Sequence, residues 1–269
     1  MDPIGNLTWK EYYSKEIQKS LARIDRTIRR WDVNGDSSVD RVTGSGGLLS
    51  FPHTYLDSTI EPLSRTVNSI YRTDRKKIIA LGVMHRSSHM DPSREFSLDG
   101  FRTFLGRAGE LLDRKEPECV YAYFPKRPLD GREPVEMISE IVKDAKELRD
   151  EITPETALIA TGDLVHYGDY YNYGESLSDP HADISEIVET EMELLYKRKN
   201  QRAFVEYSIK NRSDQWAVGI AALSLLDDDL EHEIFSFEMS DYSKIFKTPP
   251  PCLVASIFYG VWKKIKKDC

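Results

Sequence analysis

The sequence predicts an α/β protein in a single domain, residues 1–269, with a central, mostly parallel (mixed) sheet and helices on both faces. Short, continuous apolar runs such as residues 78–83 are typical of interior strands in a parallel sheet. Between these runs, apolar residues recur at intervals of three and four, as in amphipathic helices. Strands that alternate with helices are joined by crossovers, which make neighbouring strands parallel.

In chain order, the capping-box spacing of Thr8 and Glu11 opens a first helix. Its apolar face is formed by Ile17, Leu21, Ile24, Ile28 and Trp31. Residues 34–47 are polar and predict a loop. Strands are then expected over residues 47–53, 78–85, 119–124 and 157–166. The helices between them are expected over residues 60–70, 98–112 and 135–148.

The remainder of the chain predicts helices from about residue 183 to residue 226, a half-exposed strand over residues 233–238 and a last strand over residues 252–259. We find no internal repeat, low-complexity segment or linker, so nothing in the sequence supports a second domain.

Composition narrows the classes of function. The net charge of −8 and the pI of about 5.4 argue against a nucleic-acid partner. The three cysteines have neither disulfide nor zinc-knuckle spacing. The chain shows no signal-peptide pattern and no apolar run of the ~20 residues that span a bilayer, so we expect no membrane association. A reducing, cytoplasmic location is the expectation that follows.

Three of the six histidines, His53, His85 and His166, follow apolar runs of the kind expected for buried strands. In parallel sheets, ligands bind at the carboxyl ends of the strands. Three imidazoles at this edge of the sheet could bind one transition-metal ion. Taken singly, each histidine is better explained as a partly buried side chain bonded to a backbone carbonyl.

Two further residues near these histidines could take part in chemistry. Asp163 precedes His166 by three residues and could be a ligand, a partner that orients an imidazole, an acid–base group or a helix cap. His89 follows His85 by four residues and is a candidate base, with a surface role as the alternative. His181 and His232 lie in polar segments and are predicted to be at the surface.

Two other segments have both a functional and a structural explanation. Tyr167, Tyr170, Tyr171 and Tyr173 crowd the loop after His166, where they could sandwich a planar substrate or pack the loop against the domain. Residues 32–40 have oxygen-bearing side chains at alternate positions, as calcium loops do. Their glycine is misplaced and residue 43 is a threonine instead of a bidentate glutamate, so a solvated turn is predicted.

These motifs resemble the Memo family and its relatives, the class III extradiol (LigB-type) dioxygenases. Residues 52–55 (Pro-His-Thr-Tyr) are similar to the family's Pro-His-Ala-Gly-Tyr region, with one residue fewer, and residues 81–85 to Leu-Gly-Pro-Ser-His. Residues 161–168 (Thr-Gly-Asp-Leu-Val-His-Tyr-Gly) are similar to Ser-Ser-Asp-Leu-Ser-His-Tyr-Gly, which is the most specific match. The resemblance extends from about residue 48 to residue 260.

The resemblance implies metal ligands at His53, His85 and His166 and a pocket aspartate at Asp163. Two family features have no counterpart: the pocket cysteine, replaced within residues 212–216 (Arg-Ser-Asp-Gln-Trp), and a His-Ser-x-Glu segment. The missing thiolate disfavours copper-thiolate chemistry and makes Asp214 a candidate oxygen ligand. Imidazoles with a carboxylate suit Fe(II), and copper or zinc is possible.

The leading functional hypothesis is therefore a non-haem Fe(II) oxidoreductase that acts on a small, catechol-like substrate. His166, Asp163 and His89 are the candidate catalytic residues, and Tyr55, Arg86 and Tyr167 are placed in the substrate pocket. One alternative is an adaptor that binds an acidic or phosphorylated peptide in the same cleft through Arg86 and Arg94. Another is a metal-dependent hydrolase, although no general-base glutamate is evident near the histidines.

Overall fold

The computed structural model describes residues 9–53, 56–85, 95–126, 131–226 and 229–264, which build one sheet with helices on both faces. The predicted α/β architecture is confirmed. Thr8, which would open the first helix, lies outside the described residues. Within the described ranges, no helix has the length and apolarity needed to cross a lipid bilayer.

Within the described ranges, the sheet has seven strands. They are β1 (Leu48–Phe51), β2 (Lys77–Met84), β3 (Glu118–Pro125), β4 (Thr156–Thr161), β5 (Val165–Tyr167), β6 (Leu230–Asp241) and β7 (Leu253–Lys263). The order β3-β2-β4-β1 is parallel throughout, and β7 pairs antiparallel with β1, β5 and β6. Six strands therefore run in one direction and β7 runs against them, which makes the sheet mixed.

The helices cover the sheet in two groups. They are α1 (Trp9–Asn34), α2 (Ser37–Gly44), α3 (Leu56–Arg72), α4 (Asp99–Leu112), α5 (Ile138–Glu147), α6 (Pro180–Met192), α7 (Gln201–Lys210), α8 (Trp216–Leu225) and the short α9 (Ser243–Phe246). Apolar residues of α1 to α4 pack on one face of the sheet, and those of α5 to α8 pack on the other. Each face thus has its own hydrophobic core, as alternating side chains of the strands require.

The loop predicted over residues 34–47 is wrong, because this segment contains α2. The side chain of Asp36 caps the helix by accepting a hydrogen bond from the amide of Val39 (3.2 Å). Val39 and Val42, one turn apart, are fully buried against the core. Two apolar residues suffice to anchor so short a helix, and the polar residues around them hide the pattern. The predicted calcium-like turn is thus a helix start, with Asp36 also paired to Arg65.

The strand predicted over residues 157–166 is also wrong in one respect, because it is broken after Thr161. The chain crosses the end of β1 and resumes as β5, where Val165 pairs with Ala255 of β7. A Cβ atom on Gly162 would lie 2.7 Å from the side chain of Gln215, so only glycine allows this close approach to the start of α8. Since β1 and β5 pair with different parts of the same side of β7, His166 lies just beyond the end of β1.

A buried acid lies in the core on the α5–α8 side. Glu191 of α6 is fully buried, and neither carboxyl oxygen forms a hydrogen bond of normal geometry with a described residue. Burial raises the pKa of this carboxyl well above its usual value, and the nearby Ser208 hydroxyl only partly opposes the shift. Burial therefore favours the neutral form of Glu191 in the folded protein, and the carboxyl ionises more readily when the chain unfolds.

We expect Glu191→Gln to stabilise the protein, and increasingly so at higher pH. The pKa of Glu191 is higher in the folded than in the unfolded protein. The contribution of Glu191 to the wild-type free energy of unfolding is therefore highest below its unfolded-state pKa, and it declines as the pH rises through the folded-state pKa. The advantage of the variant should grow by up to about 1.4 kcal/mol per pH unit. Urea unfolding of both proteins between about pH 5 and pH 8 measures this difference.

Glu189→Gln, at an exposed position of the same helix, is the control and should change the free energy of unfolding by less than about 0.5 kcal/mol at every pH. An advantage of Glu191→Gln that does not vary with pH would show that Glu191 is ionised in the folded state.

Candidate metal centre

The candidate site lies at the edge of the sheet where parallel strands end. His85 follows β2 directly, His53 follows β1 by two residues, and Asp163 follows β4 by two residues. Since β4 lies between β2 and β1, these three side chains start from neighbouring strand ends. His166 comes from β5, and Asp214 comes from the turn between α7 and α8.

One carboxylate oxygen connects the imidazoles. Asp214 Oδ2 lies 3.6 Å from His53 Nε2, 3.7 Å from His85 Nε2 and 3.8 Å from His166 Nε2. The Nε2 atoms of His53 and His85 are 3.2 Å apart, and Asp163 Oδ2 lies 3.9 Å from His53 Nε2. All five side chains are buried except that of His85, which is 15% exposed.

These atoms form two overlapping groups with the composition of a metal site. One consists of His53, His85 and Asp214, and the other of Asp163, His166 and Asp214, with the ligand atoms in each group within 4.8 Å of one another. Neither group contains all three predicted imidazoles, and Asp214, which belongs to both groups, links His166 to His53 and His85. The structure brings together four residues singled out from the family resemblance and Asp214, which the sequence offered as an additional ligand.

Hydrogen bonds on the far side of two imidazoles decide which nitrogen carries the proton. His166 Nδ1 lies 2.8 Å from the carbonyl of Arg212, and a carbonyl can only accept, so Nδ1 donates. In the same way, His85 Nδ1 donates to a carboxylate oxygen of Glu95 at 2.9 Å. When these rings are neutral, each Nε2 therefore turns a lone pair toward Asp214 Oδ2, which is itself an acceptor.

The neutral rings of His85 and His166 thus face Asp214 Oδ2 as acceptors across 3.7 and 3.8 Å, and such pairs repel unless a proton or a metal cation lies between them. Imidazole nitrogens and a carboxylate oxygen are common ligands of iron, zinc and copper. The donor set therefore fits a transition-metal dication. Nδ1 of His53 has no hydrogen-bond partner among the described residues, unlike the other two rings.

The titration of the site follows from burial and charge. Burial lowers the pKa of His53 and brings that of His166 down to about 4, so both rings are neutral at pH 7. Burial has the same effect on His85, but the nearby carboxylates of Asp214 and Glu95 outweigh it and raise the pKa. Burial would raise the pKa of Asp214, yet Lys126 and the imidazoles hold it well below its usual value. Asp214 therefore stays ionised.

Asp163 and Asp214 are held to each other through their backbones. The amide of Asp214 donates to the carbonyl of Asp163 (3.1 Å), and the amide of Asp163 donates to Asp214 Oδ1 (2.7 Å). The hydroxyl of Ser256 in β7 donates to Asp163 Oδ1 (2.9 Å). These bonds satisfy one oxygen of each carboxylate and leave the other, Oδ2, on the side of the imidazoles.

Glu95 fixes the second imidazole. Its carboxylate accepts from the amide of His85 (2.7 Å), from His85 Nδ1 and from the amide of Phe96 (2.9 Å). The ring of Phe96 stacks on that of His85, with centroids 4.6 Å apart. Carboxylate–histidine pairs of this kind orient a ligand and make it more basic. No sequence pattern indicates Glu95, because it lies ten residues beyond His85 without a recognisable motif.

Of the tyrosines after His166, Tyr171 contacts the site and Tyr167 lies in the core. The ring of Tyr171 meets that of His166 edge-on, with centroids 4.9 Å apart. Tyr167 is the next residue along β5 and points to the opposite face, where it packs in the core and its hydroxyl accepts from the amide of Leu177 (3.2 Å). The structure thus places Tyr171, and not Tyr167, against a candidate ligand. The predicted pocket residues Tyr55 and Arg86, and His89, lie outside the described residues.

Comparison with known proteins leaves the family open. No family model matches this chain, and no curated protein matches it. Among solved structures, it is similar to an uncharacterized protein, JW3007 from Escherichia coli K12. The two chains share 11% identity at a TM-score of 0.42, over 80% of this chain and 99% of the other. A likeness of this degree assigns neither a family nor an activity.

We expect Glu95→Gln to weaken metal binding by about 10–100-fold, the usual cost of losing a partner that orients a ligand. A glutamine has one acceptor oxygen where the carboxylate now serves three donors, so the ring of His85 loses its fixed orientation. Titration against a competing chelator measures the affinity. Glu110→Gln, at an exposed position of α4, is the control. Equal affinity in Glu95→Gln and the wild type would show that Glu95 does not support a metal ligand.

Proposed function

We propose that this protein is a metal-dependent oxidoreductase of the extradiol-dioxygenase type, which uses Fe(II) and acts on a small, oxygen-bearing substrate such as a catechol. The observation that carries the proposal is the group formed by His53, His85 and Asp214. Two histidines and one carboxylate with open positions are the ligand set of non-haem Fe(II) oxygenases. The proposed relationship to the Memo and LigB-type proteins is supported by the same residues, since those that resemble the family meet at one edge of the sheet.

The protein's own residues would hold the ion, orient the substrate and move a proton. Fe(II) in this position would supply redox chemistry toward O₂ and a point of attachment for substrate oxygens. His166 is buried, neutral at pH 7 and directed toward Asp214, so it is placed to accept a proton from a bound hydroxyl. A positioned base of this kind contributes about 10²–10⁴-fold to a rate. The ring of Tyr171 limits the space beside it.

The hydrolase alternative gains no support from Glu95. In many zinc hydrolases a glutamate near the metal accepts a proton from water, and it must be free to do so. Both oxygens of Glu95 already accept hydrogen bonds from His85 and Phe96. The arginines invoked for a peptide partner, Arg86 and Arg94, lie outside the described residues.

We expect the protein purified without air to bind about one iron per chain, and His53→Ala and Asp214→Asn to lose it. The asparagine keeps the oxygen that accepts from the amide of Asp163, but it turns an N–H group toward the imidazole lone pairs, where a cation would otherwise lie. The loss of affinity should exceed the ~10–100-fold expected for a residue that only orients a ligand. Elemental analysis for iron, copper and zinc, together with circular dichroism, tests this.

His181→Ala, at an exposed histidine of α6, is the matched control and should retain the metal. Oxygen uptake with added catechols then tests the reaction. Iron with catechol-dependent uptake supports the proposal. Zinc without uptake would favour hydrolysis, and a wild-type protein that takes up no metal would exclude the metal-dependent reactions and favour the adaptor.

A further inference from the structure

Lys126 lies beside the candidate metal centre, although an ammonium group cannot be a metal ligand. It directly follows β3, at the same edge of the sheet as the histidines. Its amide donates to the carbonyl of Met84 (2.9 Å), and its carbonyl accepts from the indole nitrogen of Trp216 (2.8 Å). Met84 precedes His85, and Trp216 follows Asp214 by two residues. The backbone of Lys126 is therefore fixed between the segments that supply two candidate ligands.

The ammonium group of Lys126 points into the centre. Its Nζ lies 3.3 Å from Asp214 Oδ2, the oxygen that faces the imidazoles. The Lys126 side chain is 25% exposed and that of His85 is 15% exposed, whereas those of His53 and Asp214 have no exposure. Among these four side chains, only those of Lys126 and His85 are in contact with solvent, so we infer that a ligand approaches the centre on their side.

A metal dication would change what this ammonium group can bind. Once Asp214 Oδ2 serves the dication as a ligand, its negative charge is shared between two cations. Like charges so close together repel, and a lysine at this place by itself lowers the affinity for metal. An anion that enters from the open side contacts both cations and relieves that repulsion.

We propose that Lys126 receives the anionic group of the substrate, so that the site takes a small molecule bearing a carboxylate or another oxyanion. This inference rests on the proposed metal centre and adds the charge of its substrate. Lys126 is then a residue that determines specificity. Its removal should weaken anion binding and spare metal binding.

The test uses Co(II) as a spectroscopic probe in the full-length protein. Acetate and imidazole are titrated separately into the loaded wild type, Lys126→Met and Lys126→Arg, and the change in visible absorption gives each dissociation constant. Acetate carries the charge that Lys126 should recognise, and imidazole is a neutral ligand of the same metal. Lys143→Met, at an exposed position of α5, is the matched control.

We expect Lys126→Met to bind Co(II) at least as tightly as the wild type and acetate about tenfold more weakly, because a hydrogen bond to a charged group is lost. Its imidazole affinity should not fall, and Lys126→Arg should retain most of the acetate affinity. Equal acetate affinity in Lys126→Met and the wild type, with Co(II) bound in both, would overturn this inference alone. Absence of a Co(II) spectrum in the wild type would instead overturn the metal centre and this inference with it.

Discussion

The carboxylate of Asp214 is the constraint on which the site depends. It is ionised, fully buried and surrounded by three imidazoles, at least two of which offer it lone pairs when neutral. An isolated charge in such a place is very unfavourable, by several kcal/mol even after relaxation. The amide of Asp163 and the ammonium of Lys126 offset part of this cost. A metal cation bound to Asp214 would offset the rest of this cost.

The sheet explains why these groups can converge. The order β2-β4-β1 brings three strand ends side by side, and β7, the one reversed strand, carries β5 in line with β1. The break after Thr161 therefore serves two purposes. It lets Asp163 and Asp214 meet through one backbone–backbone bond and one bond from the Asp163 amide to the Asp214 carboxylate, and it moves His166 over the end of β1, where its ring can face the others. A continuous strand would have carried His166 away from this edge.

The sequence predicts the strands and histidines of the site better than it predicts the residues that contact those histidines and Asp214. Apolar runs and helical spacing are strong signals, so the alternation of strands and helices and the positions of His53 and His85 could be read from the chain. Asp214 could be proposed only through the family resemblance. Glu95 and Lys126 could not be found, because their roles depend on contacts with residues ten and 88 positions away. The helix α2 cannot be predicted from its sequence, because its two buried valines make too short a pattern.

Two fully buried carboxyl groups, those of Glu191 and Asp214, differ in how readily they ionise. Glu191 has no hydrogen-bond donor of normal geometry among the described residues and is neutral, as burial alone dictates. Asp214 is equally buried but ionised, because the amide of Asp163, the ammonium group of Lys126 and the imidazole of His85 stabilise its charge. In the absence of a metal ion, the ammonium of Lys126 balances part of that charge, and Asp214 and Glu95 both favour the protonated form of His85. A dication at Asp214 would compete with the proton of His85 and with Lys126 for the carboxylate, so metal uptake would itself leave the ammonium group less fully paired and able to bind an anion.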